Sequence, residues 1–199
     1  MSNTSKQKTY IKLCHSDLTT RDGYQLRIGG THRATGERGQ GLCSDEYIHS
    51  YPSGPVAALM APLNGVDWYD TAVEITGKIS EIDGTKLGHR QIRVLRQVPR
   101  PTLTTEQRVA IAIVCASRMG QSNGWTAWTR DWLSGRNRSK SSAEEAWAAA
   151  AATWSAAEAA WAAARSAEFS ATKGVNLVSI CDLVLATPES EWEGMVSDE

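Results

Sequence analysis

The stretch that decides the architecture runs from Ser141 to Thr172, SSAEEAWAAAAATWSAAEAAWAAARSAEFSAT, where Ala fills 16 of the 30 positions from Ala143 onward and Trp recurs at 147, 154 and 161. Ala has the best intrinsic helix propensity, and neither Pro nor Gly interrupts the run. Ser142 with Glu145 makes a capping box, and Gly174 stands past the far end as a stop. The stretch predicts one long helix. About 30 residues at 1.5 Å each make a rod of roughly 45 Å.

The Trp spacing of seven places Trp147, Trp154 and Trp161 on one seam, with Ala150, Ala157, Ala164 and Ala171 beside them. Large knobs next to small holes suit a second helix crossing with a left-handed twist. The rest of the rod is Ala with few charges (Glu144, Glu145, Glu158, Arg165, Glu168), so something must cover it. Two readings stay open: the neighbouring helices of the same chain cover the seam, or it is an interface with another protein or a second copy, giving a homodimer.

Outward from this rod, 199 residues allow one domain or two small ones with a real core. No apolar run is long enough to span a bilayer, and the polar start from Met1 to Lys8 lacks an apolar leader, which together predict a cytoplasmic address. The four cysteines at 14, 43, 115 and 181 are dispersed, without a C-x-x-C pair or a histidine at ligand spacing, so neither a zinc site nor a disulfide framework is expected. No metal or cofactor is expected from any motif.

The net charge of −1 hides a segregation. Met1 to Thr85 holds 8 Lys or Arg against 10 Asp or Glu, Lys86 to Lys140 holds 11 against 2, and Ser141 to Glu199 holds 2 against 10. The basic middle and the acidic tail either attract each other within the fold or offer a basic face to an acidic protein or to nucleic acid.

Before Pro99 the hydrophobic period is two. Tyr10 to Cys14 reads as a strand with Ile11 and Leu13 on one face, Thr20 to Gly23 as a turn, and Tyr24, Leu26 and Ile28 as a further alternating run. Thr31 to Ser53 is rich in Gly, Arg and Ser and reads as a long loop; Pro55 to Met60 reads as one or two helical turns capped by Ser53. The clearest strands are Thr71 to Ile79 and Arg90 to Val98, a hairpin turned at Asp83-Gly84, with Ile92, Val94, Val98 and Arg96 assigned to one face. After Pro99 and Pro101 the period becomes 3.6. Thr104 with Gln107 caps a helix from Thr105 to Met119, Trp125, Trp128 and Trp132 form one stripe on a short helix to Leu133, and Leu177 to Ala186 is a last helix ended by Pro188. The acidic tail Glu189 to Glu199 is expected to fray. The fold class predicted is α+β: an antiparallel β-rich domain over 1–100 followed by a bundle of three to four helices over 101–199, including the long Ala/Trp-rich helix.

Phosphate loops, the G-x-S-x-G elbow and H-E-x-x-H are absent from the sequence. The candidate contact residues are the basic ones, Arg93 and Arg96 on the strand and Arg136, Arg138 and Lys140 in the loop, together with Trp147, Trp154 and Trp161 on the rod. Nucleic-acid binding through the basic segment 86–140 is one alternative, although it calls for aromatics free to stack on bases, and the Trp stripes look committed to helix packing.

The Tyr10-Ile11-Lys12 strand, the loop with Gly41-Leu42-Cys43, the short Pro-led helix, the strand Thr71 to Ile79 and the run RQIRVLRQVPRPTLTTEQRVAIAIVCA from Arg90 to Ala116 resemble a group of small phage and prophage proteins of unknown function, whose tails are similarly rich in Ala and Trp. The specific part of the likeness is the Thr104-Thr105-Glu106-Gln107-Arg108 helix start with the strand before it. The resemblance implies no catalytic residue. It implies an accessory protein that binds a host protein or complex and blocks it, including bacterial immune machinery of the CRISPR type. A fainter likeness is to the ADP-ribosyltransferase type of fold, which implies Tyr10, Ser44 and Glu74 as a catalytic set. That enzyme reading requires Glu74 to line a cleft with the other two.

Overall fold

The computed structural model of the chain describes residues 8–39, 41–42, 44–60, 69–82, 86–117, 123–139, 141 and 176–196. The run from 142 to 175, and with it the predicted Ala/Trp helix and Trp147, Trp154 and Trp161, lies outside the described residues, as do Lys140 and the Asp83-Gly84 turn. The chain forms two compact units, Met1–Leu103 and Thr104–Glu199. Antiparallel strands dominate the first and helices the second, an α+β composition.

The first unit contains β1 (Tyr10–Cys14), β2 (Thr31–Arg33), β3 (Ile48–Ser50), α1 (Gly54–Met60), β4 (Thr71–Thr76), β5 (Glu81–Ile82), β6 (Leu87–His89) and β7 (Gln91–Pro99). One antiparallel sheet has the order β1-β4-β7-β2 and a second the order β3-β6-β5. Tyr51, just past β3, exchanges backbone bonds with Ile11 of β1, Ile11 N to Tyr51 O at 2.9 Å and Tyr51 N to Ile11 O at 2.7 Å, and so links the two sheets. The strands Thr71 to Ile79 and Arg90 to Val98 do pair antiparallel, as β4 with β7. Between them the chain also forms β5 and β6, which pair antiparallel in the second sheet.

Two further expectations are corrected. The long loop Thr31 to Ser53 contains β2 and β3; both are three residues long, too short for a period of two to show. Tyr24 to Ile28 is an irregular turn segment. Leu26 is buried and bonds back to Leu18 O, while Tyr24 and Ile28 stay exposed, so its alternation marks one anchor.

β1 is covered on both sides. Tyr10 and Cys14 join Val73, Ile75, Ile92, Val94, Leu26 and Leu87 in one core cluster, while Leu13 packs with Ala72 and with Ala57 of α1 in another. The faces follow from register: Tyr10 lies opposite Ile75 and Ile11 opposite Glu74. In β7 the register shifts between Glu74 and Ile75, so that Arg96 opposes Glu74 while Val94 opposes Ile75, leaving Leu95 as the extra residue of a bulge. The bulge overturns the single apolar face assigned to this strand. Ile92 and Val94 are buried in the core, whereas Arg93 and Arg96 both turn to the opposite side with Val98.

Loop 36–47 is tied down from inside. Glu46 is buried, its carboxylate pairs with Arg90 and accepts from Gly41 N at 3.2 Å, and the Arg90 guanidinium lies over the Tyr47 ring at 5.0 Å. Deep in the same unit His89, fully buried, donates from Nδ1 to Lys78 O at 3.1 Å, so its Nε2 accepts the Ser50 hydroxyl at 2.7 Å. Burial pushes the His89 imidazole below its ordinary value and keeps it neutral. Gly77 lets this packing close up, since a Cβ there would come within 2.5 Å of Gln91 O and 3.3 Å of His89 Nδ1. Gly77→Ala is expected to cost about 1 to 2 kcal/mol through backbone displacement, read from the urea midpoint of the β-rich unit.

In the second unit the capping box at α2 (Thr105–Ser117) is complete: Gln107 N donates to Thr104 Oγ1 at 3.1 Å and Thr104 N to Gln107 Oε1 at 3.0 Å. α3 (Asn123–Leu133) follows, with Trp132 and Leu133 buried, and α4 (Leu177–Ala186) is capped by Asn176 and buries Ile180, Cys181 and Val184. The expected fraying of the tail is corrected over 189–196, while 197–199 lie outside the described residues. Glu189–Met195 is a 3-10 helix with Trp192 buried at 3 % exposure, its indole N–H shared between Val184 O at 3.3 Å and Thr187 O at 3.0 Å. No helix among the described residues is long and apolar enough to cross a membrane.

Candidate interaction surface

Among the described residues two ion pairs join the basic middle of the sequence to its acidic tail inside the second unit. Arg136 bonds Asp131 at 2.9 Å and Glu193 at 3.1 Å; Arg138 pairs with Glu189, donates to Trp132 O at 2.9 Å and lies over the Trp132 ring at 4.6 Å. Of the basic loop residues singled out in the sequence, these two hold the acidic 3-10 helix in place. The internal attraction of basic middle and acidic tail is thus realised at Arg136–Glu193 and Arg138–Glu189.

Tyr10, Ser44 and Glu74 are not brought together. Tyr10 is buried against His89, with ring centroids 5.2 Å apart. Glu74 lies on the opposite face of the sheet and accepts both Arg96 Nε at 2.8 Å and Nη2 at 2.6 Å. Ser44 bonds its own loop at Gly41 O, 2.7 Å away. A carboxylate held by an arginine on the far side of a strand from the tyrosine cannot share a cleft with it.

Arg93 and Arg96 are brought together. Seen along β7 they are three apart and would face opposite ways on a regular strand; the bulge at Leu95 restores them to one side. α1 packs on this face where Ala57 meets Leu13 and Ala72, with Val98 at the far end of β7 against the same cluster. Over β7 and β2 it is open: Gln91, Arg93, Leu95 and Arg96 are exposed, as are Thr31 and Arg33 on the edge strand, with Arg33 Nε donating to Gln91 Oε1 at 3.0 Å. A groove of about 510 Å³ runs here, lined by Lys78, Arg90, Arg93 and Leu95 among others. Arg90 is paired with Glu46 and Arg96 with Glu74, so the groove offers the charges of Lys78 and Arg93 beside an apolar side chain, Leu95, at 37 % exposure. Lys78 and Leu95 were not singled out in the sequence; a bulge has no signature in an apolar-polar alternation, so their meeting with Arg93 could only be seen once β4 and β7 were paired.

Comparison with protein-family models, with curated proteins and with solved structures finds no match to this chain.

Proposed function

We propose that the protein works by stoichiometric binding, as a phage accessory protein that occupies a host factor in the host cytoplasm and blocks it, a bacterial immune complex of the CRISPR type being the class of target implied by the resemblance above. The observation that supports a binding role is the open face of β7 and β2, where Lys78 and Arg93 line one groove with the exposed Leu95. Its occupant is an acidic face of a protein. Cations around an apolar centre match the polar rim and dry centre of protein interfaces, and complementary charge accelerates encounter. A phosphate backbone would meet the cations but gain nothing from Leu95.

The same proposal extends the helical unit to a bundle of three to four helices. In it the Ala/Trp run forms one long rod, and its Trp147-Trp154-Trp161 seam is a packing surface of the chain or of a dimer.

The test uses the tagged full chain and its Lys78→Glu/Arg93→Glu variant, both exposed positions, against nuclease-treated bacterial lysates. The reading predicts one discrete protein or complex retained in near-equal amount by the wild type and reduced at least tenfold by the variant. Equal retention by both proteins, or capture of nucleic acid alone when nuclease is omitted, contradicts it.

A further inference from the structure

Lys12 breaks the pattern of its strand. It shares the inward face of β1 with Tyr10 and Cys14, opposite Val73, in a strand covered on both sides. A strand buried on both faces reads as a nearly continuous apolar run, and a lysine within one stands out as a departure that packing does not require.

Its ammonium donates to His49 O at 3.2 Å, and among the described residues no carboxylate forms an ion pair with it. A lysine carries three N–H donors, so this carbonyl leaves most of its capacity unused. Burial pushes the ammonium down to about 8; the neighbouring Cys14 and Asp22 hold it up and Lys86 pushes it lower. The side chain is half-buried, and the partial loss of water makes its charge costly until an anion meets it.

Beside Lys12 lies a cavity of about 770 Å³, within the range of small-molecule sites. Among the described residues its lining carries the cations Lys12, Arg21, Arg33 and Lys86 and the carboxylates Asp22 and Asp45, and Tyr51 and Tyr69 give it aromatic walls. We propose that this cavity binds a small organic anion, an aromatic or apolar body bearing one carboxylate or phosphate, with the anionic group seated on the ammonium of Lys12. Lys12 supplies the sign and, through its remaining N–H donors, the direction, and the tyrosines supply the apolar contact.

The readout is the titration of the Lys12 side chain in the full chain labelled with 13C-lysine, its resonance assigned as the one missing from Lys12→Arg or, if that variant does not fold, from Lys12→Met. Benzoate and phenyl phosphate are the probes, and benzyl alcohol the uncharged control. An anion paired with the ammonium favours its charged form. At saturation, at least one of the two anions is expected to raise the Lys12 midpoint by one pH unit or more, while benzyl alcohol leaves it in place and the five lysines that do not line the cavity do not move. The anion that acts distinguishes carboxylate from phosphate. A Lys12 midpoint that neither anion moves, or an equal movement at all seven lysines, overturns the proposal.

Discussion

Replacing Trp192 with Ala is expected to destabilise the helical unit by about 3 to 5 kcal/mol, the cost of emptying a buried indole site. The side chain is 3 % exposed, and its N–H ties the 3-10 helix Glu189–Met195 to the end of α4 through Val184 O and Thr187 O. Truncation removes the apolar body and leaves two carbonyls to find other donors. Trp192→Phe keeps most of the body and loses only the N–H, for about 1 to 2 kcal/mol. Urea denaturation followed by far-ultraviolet circular dichroism reads both values from the midpoint of the helical transition. Equal, small losses in the two variants would mean that the tail does not pack as described.

The second large effect has the opposite sign. Lys12→Met is expected to stabilise the protein by about 1 to 3 kcal/mol at pH 7, because the variant no longer holds a half-buried ammonium partly out of water. In the folded chain Lys12 titrates at about 8, against an ordinary value of 10.5. Between these values the unfolded chain holds more protons than the folded one, so the Lys12 contribution to stability rises with pH across that window. Below pH 8 the penalty is full; above about 10.5 it is gone. The thiol of Cys14, pushed up to about 11 by burial, gives an opposite slope at high pH in both proteins, and the difference between them largely removes it. Urea midpoints of wild type and variant at a series of pH values should therefore converge as the pH rises from 8 to 10.5. A constant gap, or a variant less stable than wild type at pH 7, would remove Lys12 from the interior.

These two residues also mark where the sequence was readable. The strand pairing of Thr71 to Ile79 with Arg90 to Val98, and the helix start at Thr104, are legible because alternation and capping are local signals. The sequence reads as a frayed tail at Trp192 because four of the six residues around it in Glu189–Met195, namely Glu189, Ser190, Glu191 and Glu193, are polar and no helical period spans so short a segment. Its anchors are carbonyls of the preceding helix. Lys12 was passed over because Ile11 and Leu13 already supply one apolar face, and a half-buried strand allows a lysine on the other. Only the second core cluster, built from Leu26, Leu87 and Ile92 far along the chain, turns that other face inward. The basic surface was legible in part: Arg93 and Arg96 were singled out, but the bulge that aligns them depends on the partner strand.

Binding through the open face of β7 and β2 is the central claim, and calorimetric titration of the retained partner into the purified full chain tests it most directly. The account predicts one partner bound per chain, affinity that falls with rising salt, and at least a tenfold loss in Lys78→Glu/Arg93→Glu with the fold unchanged. Binding that neither salt nor the double charge reversal weakens would contradict it.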